Sequence, residues 1–383
     1  MSAATRSTPA TPASDSDPTW PALTLRLMRG EDLSAEGVAW AMGEVMTGSA
    51  VPVQLAGFLV ALGAKGVRPH ELGALADTML EHAGALRAPD GAVDIVGTGG
   101  DMHHTVNIST MAALVIAATG RPVVKHGNRA SSSKSGSADV LEELGVRLDM
   151  SIGDVERMAH EVGITFCFAQ VFHPSMRHAV EARRGLALPT VFNVLGPITN
   201  PGRVQASAVG VADAAMAPVV AEVFASRGTS ALVFRGREGL DELSVSGPSD
   251  LWEVTGGRVH QQVLDPSRDL DLDRHDLEAL RGGTAAQNAS IAREVFAGAP
   301  GAARDAVVLN AAAGIVAADA ARTPTAPEED TATPELVPRL RRAMDEARRA
   351  LDDGAVETLL DRWAQATAAT RTDDARGNDG PRS

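Results

Sequence analysis

Four segments of the chain hold residue types that could do chemistry together. The first is Gly97-Thr98-Gly99-Gly100-Asp101, straight after the strand-like Asp94-Ile95-Val96. Glycines let a backbone approach a phosphate closely and turn its amides toward the anion; the same pattern also makes an ordinary tight turn. The second, Asn107-Ile108-Ser109-Thr110, opens an Ala-rich apolar stretch. A helix N-terminus there offers free amides and a positive dipole end, and its hydroxyls can bind phosphate or help hold a metal. A plainly capped helix is the alternative. The third runs Lys125-His126-Gly127-Asn128-Arg129-Ala130-Ser131-Ser132-Ser133 and on to Ser135-Gly136-Ser137. It puts two cations, a histidine and a run of hydroxyls at the end of a strand, where α/β proteins bind ligands. A solvated polar loop competes with this reading, and the density of phosphate-binding residue types weighs against it. The fourth is Asp241-Glu242, shortly after Gly239. Adjacent carboxylates can bind Mg²⁺ through oxygen and leave room for substrate phosphates, although an acidic pair is more often solvated surface.

Two other features take the bland reading. His103-His104 has no Cys or His partners spaced for a zinc site. Cys167 lies in the apolar run Thr165-Phe166-Cys167-Phe168 and reads as core rather than as a nucleophile.

These segments need elements to position them. Residues 23–88 carry apolar side chains at helical spacing, with Ser34 as a candidate cap and Thr47-Gly48-Ser49, Lys65-Gly66 and Pro69 as breaks. This predicts a small all-helical domain. From Val93 onward strand-like runs alternate with helical ones. Residues 94–96, 122–125, 164–168, 205–211 and 231–234 read as strands, and 111–119, 138–144 and 216–226 as helices. Alternation of this kind predicts an α/β domain with a largely parallel central sheet.

Composition sets the outer limits. The chain has 383 residues, 44% of them hydrophobic, enough to bury a substantial core. Aromatics are 3% with no tyrosine, so the core is aliphatic. A net charge of −14 argues against a nucleic-acid partner. The single cysteine excludes a disulfide framework and fits a reducing compartment. No stretch reads as a signal peptide or a membrane span, so the expectation is a soluble cytoplasmic protein. Residues 1–21 and 371–383 read as disordered tails.

Taken together, DIVGTGGD, TVNIST, VKHGNR, SSSKSGSADVLEELGV, FHPSMRHA, TVFNVLGPITNP and GLDEL, in this order and spacing, resemble the anthranilate phosphoribosyltransferases over roughly residues 25–365. The resemblance implies a helical domain over residues 22–90, with a returning segment at about 173–200. It implies an α/β domain over 91–172 and 201–370, an active site in the cleft, and a homodimer through the helical domain. It also implies the reaction: the phosphoribosyl group of phosphoribosyl pyrophosphate (PRPP) is transferred to the amine of anthranilate. PRPP would be held by Gly97, Gly100, Asp101, Thr105, Asn107, Ile108, Ser109 and Thr110. The loop Lys125, His126, Gly127, Asn128, Arg129, Ala130, Ser131, Ser132 and Ser133, with Ser137, would close over it. Ser109, Asp241 and Glu242 would hold Mg²⁺, two ions by the family's habit. Anthranilate would meet Gly97, Asn128 and Arg183, with His126 and Pro197 near its path. Lys125, His126 and Arg183 would be the catalytic side chains. Three departures stand out: Met102 and Ala187 occupy positions where the family commonly has glycine, and Gln170 replaces a frequent proline. A nucleoside phosphorylase on the same fold, a different aromatic amine as acceptor and a non-catalytic paralogue are the competing readings.

Overall fold

The computed structural model describes residues 18–130, 134–322 and 335–370. The segments expected to be tails, residues 1–17 and 371–383, lie outside them. The chain divides into two compact units.

The helical unit contains the described residues up to His82, together with Ser175–Val191. Helix α1 (Trp20–Met28) starts inside the segment assigned to the tail, because Thr19 caps it through its hydroxyl and Pro21 suits its first turn. Helix α2 (Ala35–Thr47) is capped by the Ser34 hydroxyl and ends at left-handed Gly48. Helices α3 (Pro52–Lys65) and α4 (Pro69–Glu81) follow. Trp20 packs against Trp40 and edge-on against Phe58, with ring centroids 5.5 Å apart in both pairs. One buried carboxylate ties the corner together. Glu71 accepts from the amides of Leu33 and Arg68 and from the Lys65 ammonium at 2.7–2.9 Å. The Lys65 ammonium is buried as well, so each charge answers the other.

The unit is completed by a return of the chain. The Val45 carbonyl accepts from His178 Nδ1, and α9 (Val180–Leu186) packs on α3. The returning segment is shorter than the expected 173–200. His173 and residues 192–200 belong to the other unit, as do residues 83–90. Hydrogen bonds to its strands hold the downstream residues there, Asn200 to Asp94 and to the Val124 carbonyl.

The α/β unit is built on one seven-stranded sheet of order β3-β2-β1-β4-β5-β6-β7. Strands β1 (Val93–Gly97), β2 (Val123–Gly127), β3 (Ile164–Phe168), β4 (Ala206–Gly210) and β5 (Ser230–Gly236) are parallel. Strands β6 (Ser249–Thr255) and β7 (Arg258–Leu264) add an antiparallel edge that the sequence reading did not place. Between them run α5 (Ile108–Ala118), α6 (Ser137–Glu143), α7 (Ile152–Glu161), the one-turn α8 (Ala169–Phe172) and α10 (Phe192–Leu195), and α11 (Met216–Ser226). After β7 come α12 (Pro266–Leu270), α13 (Ala285–Phe296), α14 (Ala302–Arg322), α15 (Leu336–Asp352) and α16 (Ala355–Ala369).

Helix α5 is buried on nearly every side, which is why its sequence is apolar all round. It packs on β1 and against α14, where Gly314 gives way to Ile116. The strand order reverses between β1 and β4, so the carboxyl ends of these two strands form a topological switch point. Open α/β sheets bind ligands in the crevice there.

Candidate active site

The switch point is shaped by two glycines. Gly97 ends β1 and Gly210 ends β4, and the two are partners across the ladder. A Cβ on Gly97 would overlap the Asp241 carboxylate, and one on Gly210 would overlap the Asp241 carbonyl oxygen. Bare backbone at both strand ends is therefore what admits the Asp241-Glu242 turn into the sheet's rim. The turn is pinned from behind by Asn310 of α14. Its amide oxygen accepts from the Leu243 amide at 2.9 Å and its amide nitrogen donates to the Leu243 carbonyl at 3.0 Å.

Both carboxylates are consequently buried. Asp241 Oδ2 accepts from the Gly99 amide at 2.6 Å, and Glu242 Oε1 accepts from the Ser109 amide at 3.2 Å. The second bond puts Glu242 at the amino end of α5, where the helix dipole favours negative charge. Burial pushes the Asp241 carboxyl up to about 7, with nearby Asp101 adding to the rise. Glu242 is also raised, first by burial and then by Asp241, against the pull of Lys125. Two carboxylates that resist ionising together form a site short of positive charge. That suits a divalent cation completed by waters and substrate oxygens. Among the described residues no three His, Cys, Asp or Glu side chains form a ready-made metal cage. The donor set therefore fits Mg²⁺, which usually takes one or two protein carboxylates, better than zinc.

Lys125 lies in β2, as expected, and turns inward. Its ammonium is fully buried beneath β1, donating to the Ile95 carbonyl at 2.5 Å and reaching the Ser109 hydroxyl at 3.4 Å. Burial lowers its proton affinity, while Asp94 and Glu242 hold the proton on. Asp94, raised to about 6 by burial, accepts from the His126 amide at 3.1 Å and from Asn200 at 2.8 Å.

His126 is buried too. The Gly196 carbonyl accepts from its Nδ1 at 2.9 Å, which fixes the proton on that nitrogen. Its Nε2 has no hydrogen-bond partner among the described residues. Burial, with the His173 ring tilted against it at 5.1 Å between centroids, drives its pKa down to about 3, so the ring is neutral.

The other expected residues fall around this wall. Gly100 and Asp101 lie in the exposed loop after β1, where Met102 and His104 take left-handed φ angles of 63° and 55°. Thr105 bridges to Arg281. Asn107 donates to the Ser135 carbonyl and accepts from Asn288 of α13. Ile108 is core, and the buried Thr110 hydroxyl has no hydrogen-bond partner among the described residues. Gly127 lies against the Phe166 ring, Asn128 is exposed, and Ser137 begins α6. Arg129 and Ala130 lie beside α6 and bond its Asp139. Ser131, Ser132 and Ser133 lie outside the described residues. Arg183 stands apart: it is half-buried on α9 in the helical unit, while all the others belong to the α/β unit.

Sequence reasoning missed Asp94, Asn200, Asn288 and Asn310, which position the site without lining it. Asn310 had a readable signal, an amide in the middle of Val307-Val308-Leu309 and Ala311-Ala312-Ala313. Cys167 is buried and burial raises its thiol, as expected for core.

Comparison with known proteins gives a consistent result. Residues 89–356 match the model of the glycosyl transferase family a/b domain, and residues 21–83 match that family's helical bundle domain. The anthranilate phosphoribosyltransferase of Arthrobacter sp. (strain FB24) is 54% identical, over 91% of this chain and 96% of its own length. That of Nocardia farcinica is 54% identical over 88% and 96%. Among solved structures, anthranilate phosphoribosyltransferase from Thermus thermophilus superimposes with a TM-score of 0.81 at 40% identity, covering 90% of this chain and 99% of that one. The Saccharomyces cerevisiae enzyme in complex with PRPP and Mg gives 0.79 at 25% identity, over 91% and 98%.

Proposed function

The chain belongs to the anthranilate phosphoribosyltransferases, and on that premise we propose how its residues divide the work. The reaction transfers the phosphoribosyl group of PRPP to the amine of anthranilate. Pyrophosphate is released and N-(5-phosphoribosyl)anthranilate is formed for tryptophan biosynthesis. The observation that carries the assignment of roles is the seating of Asp241 and Glu242 at the switch point, against the amides of Gly99 and Ser109.

Breaking the bond between the anomeric carbon and pyrophosphate leaves an oxocarbenium-like ribosyl centre, as at other glycosidic carbons. Asp241, Glu242 and Ser109 hold Mg²⁺, two ions in our reading, which supplies positive charge to the departing pyrophosphate. The amides of Gly99 and Ser109 are spent on holding the two carboxylates in place, so they serve the departing charge through the metal site that they position. Lys125 serves from below. Its buried ammonium pulls the Asp94 and Glu242 carboxyls down against the rise that burial imposes on both. Anthranilate's amine is neutral near pH 7 and needs no base before it attacks, so most of the rate comes from positioning. Arg183 pairs with the anthranilate carboxylate as a planar fork. His126, neutral and with Nε2 left as a lone pair, acts as an oriented acceptor and does not store a proton. Gly100, Asp101, Thr105, Asn107 and the loop from Gly127 to Ser133, with Ser137, hold the phosphates and ribose.

The helical unit exposes Leu25, Met28, Val53, Val60 and Val180 on α1, α3 and α9. Apolar exposure of this kind supports a homodimer through that unit, which sedimentation would read directly. Among the described residues no helix is long and apolar enough to cross a membrane; with the lone reduced cysteine this supports a place in the cytoplasm.

The test is to mix the protein with anthranilate, PRPP and Mg²⁺ and follow anthranilate fluorescence. A decay that needs all three components is the expected result. A folded protein that binds PRPP but leaves anthranilate untouched would mean another acceptor.

A further inference from the structure

Two residues that follow β2, Ala130 and Gly136, meet at a single carboxylate. Asp139 Oδ2 on α6 accepts from the amide of Ala130 at 3.1 Å and from that of Gly136 at 2.8 Å. The neck is so tight that a Cβ on Gly136 would overlap the backbone of Arg129 and Ala130. Arg129 at this neck is held by α6. Its Nη1 donates to Asp139 Oδ1 at 2.9 Å and to Glu142 Oε2 at 2.6 Å, and its Nη2 donates to Glu142 Oε1 at 2.8 Å. The guanidinium also lies over the Phe168 ring, 5.4 Å from its centroid.

Two donors of one fork on two oxygens of one anion is the geometry in which arginine takes a phosphate. Glu142 therefore occupies the donors that a phosphate would need. Arg129 and Glu142 are each 41% exposed, so water and salt weaken their pairing and it can exchange. Asp139, at 23%, is less exposed and bonds the backbone as well. The neck can stay closed while the fork changes partner.

We propose that Glu142 holds the Arg129 fork as an internal stand-in for a phosphate, and that PRPP must displace it, so that Glu142 sets PRPP affinity without touching PRPP. The proposal rests on Arg129 being a PRPP ligand. Glu142 is thus a positioning residue that opposes binding, and Asp139 is the hinge post around which the exchange occurs.

The experiment is a calorimetric titration of PRPP, with Mg²⁺, into the parent protein, Glu142→Gln, Arg129→Ala and the double variant, with steady-state kinetics alongside. Glu142→Gln is expected to tighten PRPP binding about twofold to fivefold, the range of an exposed ion pair, and to lower KM with kcat unchanged. Glu142→Asp, which keeps the charge, should stay near the parent. Arg129→Ala should weaken binding and cancel the gain from Glu142→Gln in the double variant. If Glu142→Gln leaves PRPP binding unchanged or weaker while Arg129→Ala weakens it, the competition is refuted and Arg129 remains a ligand. If Arg129→Ala binds PRPP like the parent, the ligand assignment falls and the proposal falls with it.

Discussion

The two charged walls at the carboxyl ends of β1 and β2 are built on opposite principles. At the switch point four charges are buried: Lys125, Asp94, Asp241 and Glu242 are withdrawn from water and held by fixed backbone. Across the β2–α6 loop, Arg129, Asp139 and Glu142 stand partly in solvent. Charges in a dry wall are strong and costly to misplace, and this one is fixed before any substrate arrives. Charges in a wet wall are weak and exchangeable.

The sharpest way to break this contrast is to empty the dry wall. Asp241→Ala with Glu242→Ala should cut turnover on the order of 10³-fold or more and abolish its Mg²⁺ dependence, with the fold intact by circular dichroism. Retained turnover in that protein would remove the metal assignment. Next comes a single methyl group. Gly210→Ala meets the Asp241 carbonyl and should cost about 3 kcal/mol of stability, since a packed wall cannot yield. Gly100→Ala meets no atom within 4 Å and pays only for its φ of +81°, about 1 kcal/mol. Equal losses in urea melts of the two variants would deny that the Asp241 carbonyl is packed tightly against the end of β4.

The dry wall should also register in acid. His126 has a folded pKa of about 3 against an ordinary 6.5, so between these values the unfolded chain binds the extra proton. The neutral ring's contribution is full above pH 6.5 and is lost as pH falls toward 3. Asp94, raised to about 6, works in the opposite direction: its contribution is present below its ordinary 3.8 and is lost as pH rises through 6. The difference between proteins isolates the histidine. On going from pH 7 to pH 5, His126→Gln should forfeit about 2 kcal/mol less stability than the parent in paired urea titrations. Equal changes in both proteins would mean that the ring is not held neutral. The smallest effect lies on the solvent side. Met102 and Ala187 both hold left-handed backbone, at φ 63° and 50°. Met102→Gly and Ala187→Gly should each raise stability by about 0.5–1 kcal/mol, read as a shift in melting temperature.

Those two residues show how far the sequence could be read. Both were visible as departures from the family's glycines before any backbone angle was known, and both stand where glycine would be unstrained. The glycine loop, the strand ends and α5 were legible because each carries its own local signal. Burial of Asp241-Glu242 was not. An acidic pair reads as surface, and only the paired absence of side chains at Gly97 and Gly210, with Asn310 behind, makes room for it inside. Lys125 was legible as a strand-end cation, but nothing local says that a strand-end lysine turns inward. The β6–β7 hairpin escaped for the reverse reason. β7 is an edge strand with His260-Gln261-Gln262 at its centre and largely open to solvent, too polar to announce itself.

The helical unit takes its last helix from a segment that the ribosome delivers late. Helices α1 to α4 emerge first, but the residues that complete their packing, Ser175–Val191, follow only after the whole of Ala83–Pro174. At ordinary rates of translation that is a wait on the order of ten seconds. During it the surface of α3 that will receive α9 has no covering from its own unit. A nascent chain at this stage is a natural client for a chaperone. Truncation before residue 175 should leave an N-terminal fragment that is helical yet prone to self-association.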